Sequence, residues 1–342
     1  MMNKQELEQM CKQLHEMSRT HYKGETIPVN TYIAEWLEAK GVEIKRNTWK
    51  KYDVYCRKYF YPAFDGLMLT ELTKKTIQDM VRDASLNIAP RTIQDMINSV
   101  LKPILKEAVG EKMIESNPAE YVKLPKVHKN KKETALTDKE VMALFSASKD
   151  HYQWLALPLM FFTGMRRSEL LALRWEDINM DKRTIFIHSS IVKTGEKPLL
   201  TDYNKTEEST RIIPISPELF VLIQQYRATY GKGRKIVIGQ KEEDKYMDPD
   251  NFSRTFRAWK KKAGITRNIG VHAYRHTLIT ICLQQHLPYE YIMAITGHTD
   301  PRMITHYADL HRADGAKAEV VQAVEQYIDT NNLLQTFRVN NA

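Results

Sequence analysis

The stretch GHTDPRMITHY, Gly297 to Tyr307, decides how this chain is read. It places a histidine, His298, nine residues before a tyrosine, Tyr307, directly after a glycine suited to ending a helix. Upstream, VHAYRHT (Val271 to Thr277) sets His272 and Arg275 three apart, neighbours on one helical face. Farther back, TGMRRSEL (Thr163 to Leu170) brings in Arg166 just after a Thr-Gly break. Two arginines, two histidines and a tyrosine suit one chemistry: a phenol attacks a phosphodiester while cations hold the phosphate. A guanidinium meets a phosphate with two parallel donors, which an ammonium cannot do. A free phenol, with a pKa of about 10, is a poor nucleophile at neutral pH. A cationic cluster favours its phenolate and the added charge of a five-coordinate phosphorus.

Composition points to the same class of partner. The 342 residues carry 51 Lys and Arg against 42 Asp and Glu, a net charge of +9. That excess favours a polyanion, with nucleic acid first, through phosphate neutralisation and counterion release. The length suggests two domains, or three. The three cysteines, Cys11, Cys56 and Cys282, show no metal-ligand spacing, so no structural zinc and a reducing cytoplasm are expected. The first residues are charged and form no apolar signal core. The longest apolar run, near Trp154 to Phe162, is too short to span a bilayer, so no membrane association is expected.

Along the chain, residues 1–26 read as a polar helical extension with Leu7, Met10, Leu14 and Met17 at helical spacing. Residues 27–124 read as a helical domain. VNTYIAEWLEAK places Tyr32, Ile33, Trp36 and Leu37 on one stripe that stops at Gly41, and RNTWKKYDVYCRKYFYPAF ends at Pro62. Thr73 caps the next helix, whose Ile77, Met80 and Val81 face inward, and Pro103 kinks the long helix from Pro90 to Gly110. NPAEYV reads as a short closing helix. Residues 125–136 form a basic linker. A capping box, TDKE, opens a second domain at Thr137, which extends to 315. Within it, HYQWLALPLMFFTG is an apolar helix ending at Gly164, and RRSELLALRWEDI is the next helix. RTIFIHSSIV alternates as one strand, with KPLL and STRIIPI flanking a polar turn as two more. Ser216-Pro217 and DPDNFSRTFRAWKKKAG open two further helices. The expected fold is therefore mainly α with a small three-stranded antiparallel sheet. Residues 316–342 form a tail with an apolar stripe at Val320, Val324 and Ile328. That stripe must be covered by its own domain or by a neighbouring protomer, and we favour the neighbour.

Taken together, TGMRRSEL, VHAYRHT and GHTDPRMITHY closely resemble the tyrosine recombinases, the phage-integrase family. The resemblance covers residues 137–311; the helical domain matches the family's core-binding domain in pattern only. It implies Arg166 and Arg275 as phosphate-clamping arginines, His298 as a donor to the phosphate, His272 as a donor to the phosphate or an aid to proton transfer, and Tyr307 as nucleophile. It also implies Lys205, in the turn NKTEESTR, as the general acid for the leaving 5′ oxygen, with Lys193 and Lys197 as rivals. Glu169 matches an acidic position that orients other groups, whereas Arg167 lies on a different face. His306, just before Tyr307, and Ile304, in place of a common threonine, depart from the family without removing a catalytic group.

The activity implied is site-specific strand transfer, an integrase or resolvase reaction with a 3′-phosphotyrosyl intermediate, without ATP, metal or other cofactor. Double-stranded DNA is the implied partner. Four protomers acting on two sites would pass through a Holliday junction, with accessory bending or excision factors possible. Phosphate contacts from Lys50, Lys51, Arg57 and Lys58, and from the linker residues Lys126, Lys129, Lys131 and Lys132, are expected. A type IB topoisomerase-like enzyme and a non-catalytic DNA-binding regulator on the same fold remain open. A metal-dependent nuclease is disfavoured, since no clustered carboxylates are evident.

Overall fold

The computed structural model describes residues 26–127, 135–193, 197–202, 210–297, 314–331 and 333. The chain forms two compact units, 1–131 and 132–342, a division that falls inside the basic linker. No helix of the described residues is long and apolar enough to cross a membrane.

In the first unit, α1 (Val29–Glu43) buries Tyr32, Ile33, Trp36 and Leu37, the stripe expected from their spacing. The helix does not stop at Gly41. A Cβ there would lie 3.1 Å from the Trp49 indole, so glycine serves close packing rather than termination. Helix α2 (Arg46–Tyr55) runs into a wide π turn, Cys56–Phe60, and a last short turn, Tyr61–Ala63. Next comes α3 (Lys74–Ala84), capped by the Thr73 hydroxyl, which accepts from the Thr76 N–H, and burying Ile77, Met80 and Val81.

Helix α4 (Pro90–Met96) passes through a second π turn, Ile97–Leu101, into α5 (Lys102–Gly110). Both π turns sit just ahead of a proline, Pro62 or Pro103, and in each the preceding N–H reaches back five residues: Tyr61 to the Cys56 carbonyl, Lys102 to that of Ile97. A proline supplies no N–H and crowds the preceding turn, and local widening absorbs both effects. The kink expected at Pro103 takes this form. NPAEYV is a turn rather than a helix; Asn117 Oδ1 accepts from the Ala119 N–H, which favours the turn.

In the second unit, α6 (Asp138–Ser148) begins with the Thr137–Glu140 capping box. Helix α7 (Ala156–Thr163) is buried on every side and ends at Gly164, whose φ of +60° and crowding against Leu278 exclude a side chain. The stretch Arg166 to Ile178, expected to be one helix, holds only α8 (Arg167–Leu170) before a short turn leads into the sheet.

RTIFIHSSIV is not one strand. It divides at His188 into β2 (Thr184–Ile187) and β3 (Ser189–Lys193), which join different sheets. His188 Nε2 lies 2.9 Å from Asp177 Oδ1, and Arg174 is within 3.0 Å of the ring, which anchors the break. One antiparallel sheet is β1 (Ile178–Asn179), β2 and β5 (Arg211–Pro214), with Ile187 opposite Arg211. The other pairs β3 with β4 (Pro198–Asp202). The single three-stranded sheet expected is thus two sheets of three and two strands. Helices α9 (Pro217–Tyr226), α10 (Pro249–Lys262), α11 (Ala273–Gln284) and α12 (Tyr289–Thr296) complete the described core with α13 (Asp314–Thr330). Ser216 caps α9 as expected, accepting from the Leu219 N–H.

Val320, Val324, Ile328 and Leu333 belong to the core of this same unit. The stripe that the sequence reading assigned by preference to a neighbouring protomer is therefore covered here by its own chain. The cover comes from α11, α12 and β5, none of which the helix's own periodicity could reveal.

One feature opposes this packing. Glu325 of α13 faces Glu218 at the start of α9, and Asp329 lies one turn on; burial, then Glu218, then Asp329 push its carboxyl up to about 7. Because the folded value lies above the ordinary 4.5, docking of α13 is favoured most below that pH and weakens as pH rises through 7. Amide exchange along α13 should therefore quicken between pH 5.5 and 8, after correction for intrinsic rates, and Glu325→Gln should flatten the dependence. An equal pH response in the variant would exclude this carboxyl as the cause.

Candidate active site

The site is built on the C-terminal end of α12. Gly297 closes this helix at φ +64°, its N–H bonded to the Met293 carbonyl at 2.7 Å. The last carbonyls of a helix lack intrahelical donors and carry the negative end of its dipole. Here three successive ones are each taken by a different arginine. Arg211 Nε donates to the Ile295 carbonyl at 2.6 Å. Arg275 Nη1 donates to the Thr296 carbonyl, and also to that of Gly164 at 2.8 Å. Arg166 Nη2 donates to the Gly297 carbonyl at 2.7 Å. His298 is the next residue of the chain.

Local sequence explains how each arginine arrives. Gly164 turns the chain out of α7, so Arg166 precedes α8 with its N–H bonded to Glu169 Oε2 and Nη1 to Oε1, both at 2.8 Å. Arg275 lies on the first turn of α11 and is buried. Arg211 opens β5, where it lies opposite Ile187 of β2. The Glu169 side chain has no exposed surface, and Arg211 Nη2 donates to its Oε2 at 2.7 Å. Burial opposes the carboxylate charge, but Arg211 and Arg166 more than offset it, holding the carboxyl below its usual range.

Three guanidiniums balanced by one carboxylate and a helix dipole leave a net positive site, suited to an anion. The Arg166 side chain retains 32% exposure, so a ligand can reach it. His272 stands at the head of α11, exposed at the surface. Partial desolvation first, then Arg167, Arg275, His276 and Arg166, hold its imidazole below the ordinary value. It is thus neutral near pH 7 and keeps one N–H to donate. Thr277 packs inside, its hydroxyl accepting from the Leu136 N–H and donating to the Ala273 carbonyl.

Of the six catalytic candidates, the structure brings Arg166 and Arg275 together and puts His272 within their field. Lys205, His298 and Tyr307 lie outside the described residues. Arg167 does not join the cluster; its Nη1 holds the Pro249 carbonyl and the Ser253 hydroxyl at the start of α10. Lys193 is held by Asp250 at 2.7 Å and Asp248 at 3.3 Å. Arg211 was missed by the sequence reading, although its place five residues before the Ser216 cap, at the head of a short β-branched strand, marks it as inward-facing. Among the expected DNA contacts, Lys50, Lys58 and Lys126 are exposed, while Lys51 pairs with Asp95 at 2.9 Å and Arg57 with Asp53 at 2.7 Å. Lys129, Lys131 and Lys132 lie outside the described residues. No group of three or more metal-ligating side chains occurs among the described residues.

The phage integrase family profile matches residues 134–313, and that of the phage integrase N-terminal SAM-like domain matches residues 29–84. The chain belongs to the phage integrase family. It is a tyrosine recombinase, an enzyme that cuts and rejoins DNA at specific sites. Relatives of this integrase include the prophage ps2 probable integrase of Lactococcus lactis, 26% identical over 76% of this chain and 73% of its own. The ICEBs1 integrase of Bacillus subtilis is 23% identical over 81% of this chain and 77% of its own. Among solved structures, the Tn1549 transposon integrase in complex with a circular intermediate DNA superposes with a TM-score of 0.69, at 20% identity, over 82% of this chain and 94% of that one. A lambda integrase tetramer bound to a Holliday junction superposes at 0.66, with 16% identity, over 81% and 78%. At these identities the two structures establish the shared fold.

Proposed function

We propose that this integrase cleaves duplex DNA with Tyr307 as the nucleophile and rejoins it to a partner strand, four protomers acting on two sites. The observation that carries this reading is the convergence of Arg166, Arg275 and Arg211 on the helix end just before His298. A scissile phosphate at that end would meet the exposed edge of Arg166, with Arg275 behind it and neutral His272 beside it. The Tyr307 oxygen attacks phosphorus, a phosphotyrosyl ester forms, and the bond to the 5′ oxygen breaks. Lys205 gives that oxygen its proton. One phosphoester replaces another, so no nucleotide is consumed. A 5′ hydroxyl of the partner strand then attacks the phosphotyrosyl link and releases Tyr307. His298 and His272 donate to the phosphate throughout, and Lys50, Lys58 and Lys126 are exposed cations suited to flanking phosphates.

The test uses a nicked duplex carrying the recombination site, mapped from the borders of the element around the gene, so that the cut strand diffuses away and traps the adduct. Tyr307→Phe should bind this duplex with native affinity and form no SDS-stable adduct. An adduct from that variant would remove Tyr307 from its role.

A further inference from the structure

We propose that Arg211 is a positioning residue of the cleavage site, coupling Glu169, and through it Arg166, to the helix end that precedes His298. The inference rests on the phosphotyrosyl reading above. Its basis is a closed ring of hydrogen bonds across three distant segments. Glu169 Oε1 accepts from Arg166 Nη1 at 2.8 Å and from Arg211 Nη1 at 3.3 Å. Glu169 Oε2 accepts from the Arg166 N–H at 2.8 Å and from Arg211 Nη2 at 2.7 Å. The two arginines then hold carbonyls two residues apart, Ile295 from Arg211 and Gly297 from Arg166. A shift of any member moves the others.

Three further features place Arg211 behind the site rather than in it. Its side chain is 4% exposed, against 32% for Arg166, so it meets no position open to DNA. It is the first residue of β5, so its backbone is fixed by the sheet, opposite Ile187 of β2. The guanidinium also fits closely under Gly297, where an added Cβ would lie 3.0 Å from Nη1. The position therefore demands a planar group that serves a carboxylate on one edge and a carbonyl at Nε. Lysine keeps the charge but offers its donors from a single atom and cannot span both.

The test compares Arg211→Lys with the native chain by single-turnover trapping on the nicked duplex at saturating DNA, with affinity measured separately. Arg211→Lys should melt cooperatively, bind DNA within about threefold of native, and trap about 30-fold more slowly, the scale of a displaced transition-state donor. Adding Glu169→Gln should cost little more, because both changes open the same ring. Trapping at the native rate, a rate loss that disappears at saturating DNA, or two losses that multiply would each overturn the proposal. If Arg211→Lys does not fold, the apolar double replacement Arg211→Met with Glu169→Met buries no unpaired charge and serves instead. It should fold and trap slowly, and a folded double variant at the native rate overturns the proposal. A native chain that forms no adduct defeats the phosphotyrosyl reading itself. Native trapping beside an equally fast Arg211→Lys defeats only the role of Arg211.

Discussion

Arg166→Ala should form covalent adduct at least about 10³-fold more slowly than the native chain, the scale of removing an arginine that stabilises transition-state charge at a reacting phosphate. Of the three arginines at the end of α12, it has the exposed side chain, and it keeps hydrogen bonds to Glu169 and Gly297 that fix its direction before DNA arrives. That arrangement places the cost of ordering the guanidinium in the fold rather than in the reaction. Binding of the duplex should change little, since many phosphates contribute to affinity and Arg166 would meet one of them. Arg166→Lys should fall between, near about 10²-fold, because a single ammonium cannot hold Glu169, the Gly297 carbonyl and a phosphate oxygen together. Single-turnover trapping at saturating DNA measures all three. If Arg166→Ala traps within tenfold of native, the phosphate does not sit at the end of α12.

Glu169→Ala should lower unfolding stability by about 3–5 kcal/mol in urea at pH 7, the range for breaking a buried ion pair from one side. Its carboxylate is fully buried, and removing it takes from the buried Arg211 guanidinium the carboxylate that it shares with Arg166. Glu169→Gln should cost less, since an amide oxygen still accepts from one arginine. The pH dependence has a defined sign. The folded carboxyl lies below its ordinary value of 4.5, so its contribution is complete above that pH and is lost as pH falls through the folded value. The native chain should therefore lose stability in acid more steeply than Glu169→Gln. Parallel acid profiles for the two would mean that the carboxylate is not held by its arginines as drawn.

Much of the site was legible because its parts are local. Arg166 after a glycine turn, and His272 three residues before Arg275, are relationships within one or two helical turns, where spacing fixes geometry. The caps at Thr73, Thr137 and Ser216 were legible for the same reason: a hydroxyl reaches an N–H three residues on. Gly164 and Gly297 both adopt the left-handed conformation that ends a helix.

The sequence by itself therefore determined the helix caps, the left-handed glycine ends and the family to which the chain belongs. The tertiary structure alone decided the break at His188, which depends on Asp177 and Arg174 from an earlier turn. It decided the cover over Val320, Val324 and Ile328, because an amphipathic stripe states that it must be buried but not against what. It also decided the place of Arg211. That guanidinium meets a carboxylate 42 residues earlier and a carbonyl 84 residues later. A buried charge is stable only where such partners converge, and no local spacing records a convergence made by strands and helices from opposite ends of a domain.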